Sequence, residues 1–70
     1  MGKQITFNVK GMSCQMCVKH VTKALQEVDG VTEVVVSLDE NNAKLVYDPS
    51  VTGLPQFKAA VADAGYEVVN

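Results

Sequence analysis

Apolar and polar residues alternate in three stretches of the chain, and this period of two predicts half-buried β-strands. The stretches cover residues 4–9, 31–38 and 43–47, and the last two are separated by the polar turn Asp39-Glu40-Asn41-Asn42. Asparagine tolerates a positive φ, so this turn indicates a β-hairpin. The side chains predicted to face inward are Ile5, Phe7, Val9, Val34, Val36, Leu38, Ala43, Leu45 and Tyr47.

Two other segments place apolar residues at helical spacing. The first covers residues 14–28, with Ser13 expected to cap its start and Gly30 to lie in the turn after its end. The second has Pro55 in its first turn and ends at Gly65. Residues 66–69 then form a last short strand. The predicted apolar stripes are Val18, Val21, Ala24, Leu25 and Val28 in the first helix, and Leu54, Phe57, Val61 and Ala64 in the second.

The order strand, helix, strand, strand, helix, strand predicts an α+β fold. It is the pattern of the ferredoxin-like βαββαβ sandwich, with a four-stranded antiparallel sheet and both helices on one face. Residues 1–70 contain no linker or low-complexity stretch, so we expect a single domain.

Length, composition and charge argue against several classes of function. A chain of 70 residues has little material for a large active-site cleft, so we expect a binding module and no enzymatic activity. The net charge of -2 argues against nucleic acid as the partner. No apolar run approaches the about 18 residues of a membrane span, and the first residues lack the apolar core of a secretory signal. Two cysteines are too few for a secreted disulfide scaffold, and we therefore expect a cytoplasmic protein.

The charges are unevenly distributed along the chain. Residues 1–26 contain four lysines and no Asp or Glu, whereas residues 27–70 contain two lysines and all eight acidic residues. A dipolar surface of this kind can orient a domain toward a charged partner.

The distinctive chemistry lies in the segment Gly11-Met12-Ser13-Cys14-Gln15-Met16-Cys17. Two thiols separated by two intervening residues, on a loop that enters a helix, can face the same side. The partial positive charge of a helix N-terminus stabilises a thiolate, and nearby lysines can add to it. We therefore expect a lowered pKa for Cys14 or Cys17.

Such a pair has four plausible uses: a redox site, a structural disulfide, a zinc site and a site for a soft monovalent metal. Thioredoxin-type redox folds are usually longer, and so short a disulfide ring removes little entropy from the unfolded chain. A closed zinc site needs four ligands, and only Cys14, Cys17 and His20 are available nearby. Since His20 lies one turn into the helix, we expect it to be solvated. Cu(I) accepts two thiolates alone. The pattern favours metal binding, with redox chemistry as the next alternative.

The segment GMSCQMC resembles the G-M-x-C-x-x-C motif of the heavy-metal-associated domain family. The resemblance extends through Gly30-Val31, Asp48-Pro49 and Ala64-Gly65-Tyr66, and thus over nearly the whole chain. Small bacterial copper chaperones and the N-terminal modules of copper-transporting P-type ATPases are the most similar members. The family fold is the βαββαβ sandwich predicted above.

The resemblance implies that Cys14 and Cys17 bind Cu(I), or Ag(I) as its mimic, and exchange it with the CxxC domain of a copper-transporting P-type ATPase. A copper-bridged homodimer is an alternative partnership that the sequence leaves open, and contact with a membrane is expected only through the ATPase. The resemblance also implies that Met12 packs beneath the metal loop and that the Tyr66 hydroxyl lies near it. Met16 departs from the His or Ala common between the cysteines. The same residues fit an excised ATPase domain or, as the enzymatic alternative, a CxxC thiol oxidoreductase.

Overall fold

The computed structural model describes residues 2–69 and contains four strands and two helices. In chain order the elements are β1 (Lys3–Lys10), α1 (Gln15–Gln26), β2 (Val31–Ser37), β3 (Asn42–Tyr47), α2 (Leu54–Asp63) and β4 (Glu67–Val69). All six predicted elements are present, with boundaries that differ by one or two residues. Neither helix is long and apolar enough to cross a membrane within the described residues.

The strands form one antiparallel sheet in the order β2-β3-β1-β4. Strand β1 pairs with β3 through partners such as Phe7 and Ala43, and with β4 through Val9 and Val68. Helix α1 contacts β2, α2 contacts β4, and the two helices contact each other. The ferredoxin-like sandwich predicted from the sequence is therefore confirmed.

The core lies between the sheet and the helices. Its largest fully buried side chain is Phe57 of α2, which stacks on Phe7 at 6.3 Å between ring centroids and meets Tyr47 edge-on at 5.0 Å. The inward residues predicted for β1 and β3 are buried or half-buried, whereas those of β2 are half-buried because β2 lies at the sheet edge. The buried core residues are Phe7, Val9, Met12, Val21, Leu25, Ala43, Leu45, Tyr47, Phe57 and Val61.

The start of α1 differs from the prediction. Cys14, and not Ser13, is the N-cap residue, with extended backbone angles and no capping hydrogen bond from its side chain. Its carbonyl oxygen accepts from the amides of Cys17 at 3.1 Å and Val18 at 3.3 Å. Helix α1 ends at Gln26, two residues before the predicted end at Val28. The amide of Val28 donates to the carbonyl oxygen of Leu25, three residues earlier, at 3.2 Å. This shorter spacing tightens the last turn and ends the helix.

The turn between α1 and β2 depends on Gly30. Its φ of 91° is a conformation that favours glycine, and its carbonyl oxygen accepts from the amide of Asp48 at 2.8 Å. A Cβ at this position would lie 2.8 Å from Cβ and Cγ1 of Val51. The glycine thus allows the loop after β3 to pack against the turn between α1 and β2.

Candidate metal centre

The segment that contains both cysteines connects the central strand β1 to the first turn of α1. Within it, Met12 is only 7% exposed and belongs to the core, whereas Gly11, Ser13 and Cys14 on either side are exposed. Burial of the Met12 side chain holds the loop against the domain, because moving that side chain out of the core would expose apolar surface to water. The predicted packing of Met12 beneath the loop is confirmed.

The two thiols lie together at the tip of this loop. The Sγ atoms of Cys14 and Cys17 are 3.5 Å apart, and both cysteines are free. Cys14 is exposed and Cys17 is half-buried against the core. Because Cys14 is the N-cap and Cys17 lies in the first helical turn, the helix itself brings the two sulfurs to one side.

The thiol of Cys17 is strongly acidified. Hydrogen bonds from the backbone of Ser13, from the Tyr66 hydroxyl and from the Cys14 side chain lower its pKa from 9.0 to about 6. The backbone of Cys14 adds to this lowering, and partial burial opposes it. The predicted low-pKa cysteine is therefore present. Its cause is local hydrogen bonding, and the nearby lysines that the sequence suggested are not among the contributors.

Tyr66 reaches the site from the far end of the chain. It precedes β4, whose Glu67 pairs with Lys10 at the end of β1, and this pairing brings the ring beside the loop. A Cβ on Gly11, whose φ is 103°, would lie 3.4 Å from Cδ1 of Tyr66. The hydrogen bond with Cys17 raises the pKa of the Tyr66 phenol. This hydrogen bond is strongest when the phenol is protonated and Cys17 is a thiolate, so it favours the protonated phenol.

Ser13 contributes to the site in a way that the sequence did not reveal. Its hydroxyl, predicted to cap α1, lies 4.0 Å from Sγ of Cys17, and its backbone makes the largest contribution to the acidity of that thiol. Serine just before a helix is a preferred N-cap residue, so the sequence pattern gave no separate sign of this role.

Two other candidates do not join the sulfurs. His20 is exposed, as expected, and residues 2–69 contain no cluster of three or more His, Cys, Asp or Glu side chains suited to a metal. Met16 is 60% exposed. The described site thus consists of two adjacent sulfurs, one of them ionised at neutral pH, with solvent on their outer side.

The family model described as the heavy-metal-associated domain matches residues 6–67. The chain is also 44% identical to the copper chaperone CopZ of Staphylococcus saprophyticus over 63 residues, which cover 90% of this chain and 93% of that protein.

Solved structures agree with these matches. A CopZ metallochaperone superposes with a TM-score of 0.92 at 42% identity, covering 96% of this chain and 100% of the other. A copper binding domain from HMA7, a P-type ATPase, superposes with a TM-score of 0.90 at 35% identity, covering 96% and 93% of the two chains.

Proposed function

The chain belongs to the heavy-metal-associated domain family, and from that membership we propose that it is a copper chaperone. In this proposal its 70 residues form one domain that carries Cu(I) between Cys14 and Cys17 in the cytosol. It exchanges the ion with the CxxC domain of a copper-transporting P-type ATPase. The relatives named copper chaperone CopZ, at 42–44% identity, support the assignment.

The donor set supports Cu(I) as the cargo. Soft thiolates prefer Cu(I), and two of them suffice, whereas a structural zinc site needs four ligands. Two thiolates and one Cu(I) leave a net charge of −1, which the hydrogen bonds around Cys17 offset. Ag(I) has the same preference and would bind as a mimic. The observation that carries the proposal is the pair of sulfurs 3.5 Å apart at an exposed loop tip.

Cu(I) can pass to a partner because only two thiolates coordinate it, which leaves room for a third. A thiolate of the partner attacks Cu(I), which passes through a three-coordinate state that bridges the two domains. One of the original sulfurs then leaves and takes up a proton if the pH is below its pKa. Each step replaces one Cu–S bond by a similar one, so tight binding and rapid transfer are compatible and no general acid or base is needed.

The charge distribution supports an acidic partner surface. Lys19 and Lys23 are exposed on α1, and Lys10 is exposed at the end of β1 beside the loop. Such a surface raises the association rate in a salt-dependent way. A second copy of the chain is an alternative acceptor, which would give a copper-bridged homodimer.

Competition with a chromophoric Cu(I) chelator under reducing conditions tests the proposal. We expect Cys14→Ser and Cys17→Ser to abolish retention of Cu(I). The matched control is His20→Ala, an exposed residue of the same helix, which should stay within about tenfold of the original affinity, or about 1.4 kcal/mol. Equal losses in the histidine and cysteine variants would contradict binding by two sulfurs, and failure of the unmodified protein to retain Cu(I) would refute the function.

The likeness to the P-type ATPase domain at 35% identity supports a second candidate, in which the chain is the metal-binding domain of such a pump. The cysteine pair would bind and exchange Cu(I) in the same way in both cases. The direction in which Cu(I) moves between this chain and an isolated pump domain distinguishes the chaperone from the pump domain. A thiol oxidoreductase would instead show turnover with a disulfide substrate and a CxxC reduction potential suited to it.

A further inference from the structure

Besides the cysteine pair, helix α1 carries two groups that are ligands of soft metals, a thioether and an imidazole. The chain contains a single histidine, His20, which is exposed. Of the two methionines in residues 2–69, Met12 is buried in the core, whereas Met16 is 60% exposed. Met16 is the most exposed large apolar side chain of the described residues. Both donor groups are therefore accessible to a dissolved ion.

The spacing of Met16 and His20 brings their donor atoms within reach of one ion. The two residues are four positions apart within α1. Residues at this spacing lie on one face of a helix on successive turns, with Cβ atoms about 5–6 Å apart. Long side chains of a helix lean toward its N-terminus, and this directs the imidazole of His20 over the turn that carries Met16. The thioether sulfur and an imidazole nitrogen can therefore converge on a single ion.

The donor pair and its surroundings select the class of ion. Thioether sulfur is a soft ligand typical of Cu(I) sites, and imidazole also binds copper. A structural zinc site needs four ligands, and the described part of the chain has no cluster of three or more His, Cys, Asp or Glu side chains. Lys19 and Lys23 are exposed on the same helix and repel a divalent ion about twice as strongly as a monovalent one. These features favour a soft monovalent cation.

We propose that Met16 and His20 form a second binding site, which takes a soft monovalent cation, Cu(I) or Ag(I). Both donors are neutral, so this site binds the cation less tightly than the two thiolates of Cys14 and Cys17 and fills after them. The chain then holds two ions, one between the sulfurs and one on the exposed surface of α1. This inference goes beyond the proposed function and does not depend on it, because the second site contains neither cysteine.

The test is an Ag(I) titration of the full chain in which Cys14→Ser and Cys17→Ser remove both thiolates. The NMR signals of the Met16 ε-methyl group and of the His20 ring should shift together and saturate at one equivalent. In this background, Met16→Leu and His20→Asn should each lower the Ag(I) affinity by about tenfold or more. In the unmodified reduced chain the same two signals should shift with the second equivalent of Ag(I), after the first has filled the cysteine pair.

The matched control exchanges two exposed side chains of α1. His20→Lys combined with Lys23→His keeps the composition and net charge of the chain, and positions 20 and 23 are both exposed. The imidazole then lies seven positions from Met16, about 10 Å along the helix. A single ion cannot bridge that distance, so the exchange should lower the Ag(I) affinity as much as His20→Asn does.

An affinity that the exchange leaves unchanged would overturn the proposal. Loss of affinity in His20→Asn without loss in Met16→Leu would also overturn it, because the histidine would then bind alone. Absence of saturable binding in the serine variant, with a second Ag(I) bound by the unmodified chain, would assign that ion to the sulfurs.

Far-UV circular dichroism checks that each variant retains its helices. If the serine variant does not, Met16→Leu and His20→Asn in the otherwise unmodified chain, titrated beyond one equivalent, give the same comparison. Failure of the unmodified chain to retain Cu(I) against a chelator would refute the proposed function, whereas the second site would still bind Ag(I) in the serine variant.

Discussion

Replacing Tyr66 with phenylalanine removes one of the hydrogen bonds that acidify Cys17 and leaves the ring in place beside Gly11. With a pKa of about 6, Cys17 is about 90% thiolate at pH 7, whereas a thiol with the ordinary value of 9.0 would be about 1% ionised. The variant loses the second largest contribution and keeps that of the Ser13 backbone. We therefore expect its titration midpoint to lie between about 6 and 9.0, with a smaller thiolate fraction at pH 7.

The assay is the pH dependence of alkylation in the reduced, metal-free protein. Fragmentation of the peptide that covers residues 11–19 assigns the reaction to each cysteine separately. Tyr47→Phe is the matched control, because Tyr47 is the other tyrosine of the chain and lies in the core. A midpoint for Cys17 at or above 9.0 in the unmodified protein would refute the hydrogen-bonding argument. A midpoint that Tyr66→Phe leaves unchanged would refute the role of the hydroxyl.

Two further predictions concern stability. Because folding lowers the pKa of Cys17, the metal-free protein gains stability as the pH rises from about 6 to 9.0 and loses it as the pH falls through 6. In denaturant unfolding, the free energy of unfolding should therefore depend less on pH in Cys17→Ser than in the unmodified protein. An equal pH dependence in the two proteins would contradict the pKa shift. Gly30→Ala should lower the free energy of unfolding by about 1–3 kcal/mol, since φ is 91° and the new Cβ meets Val51 at 2.8 Å. Its control is Gly53→Ala, where φ is −167° and the nearest atoms are 3.8 Å away, and a comparable loss there would refute the strain.

Local signals in the sequence predicted the fold because each one specifies a conformation without help from distant residues. The glycine at position 30 predicted a turn and has a φ of 91°, and Asn41 in the predicted hairpin has a φ of 53°. Pro55 lies in the first turn of α2, as expected. The alternation of apolar residues gave the face of each strand, since a shift of one residue would expose the core.

The remaining features depend on contacts between distant parts of the chain. Strand β2 has an irregular register between Val31 and Glu33, where the Thr32 hydroxyl donates to the carbonyl of Val46 at 3.1 Å. No alternation pattern reveals such a bulge, because it forms against the partner strand. The acidity of Cys17 likewise depends on Tyr66, nearly fifty positions away. The cysteine pair itself was evident from its spacing, and its role as the copper ligand set stays a prediction.

The burial of Met12 limits which parts of the site can vary. With this side chain fixed among Val9 and its core neighbours, a change at position 12 alters the whole domain, while exposed Ser13, Gln15 and Met16 can change at little cost to folding. Cargo or partner preference can therefore be altered at exposed positions around the two sulfurs without disturbing the core. A mutational library at Ser13, Gln15 and Met16 should change the surroundings of the sulfurs and keep the protein folded.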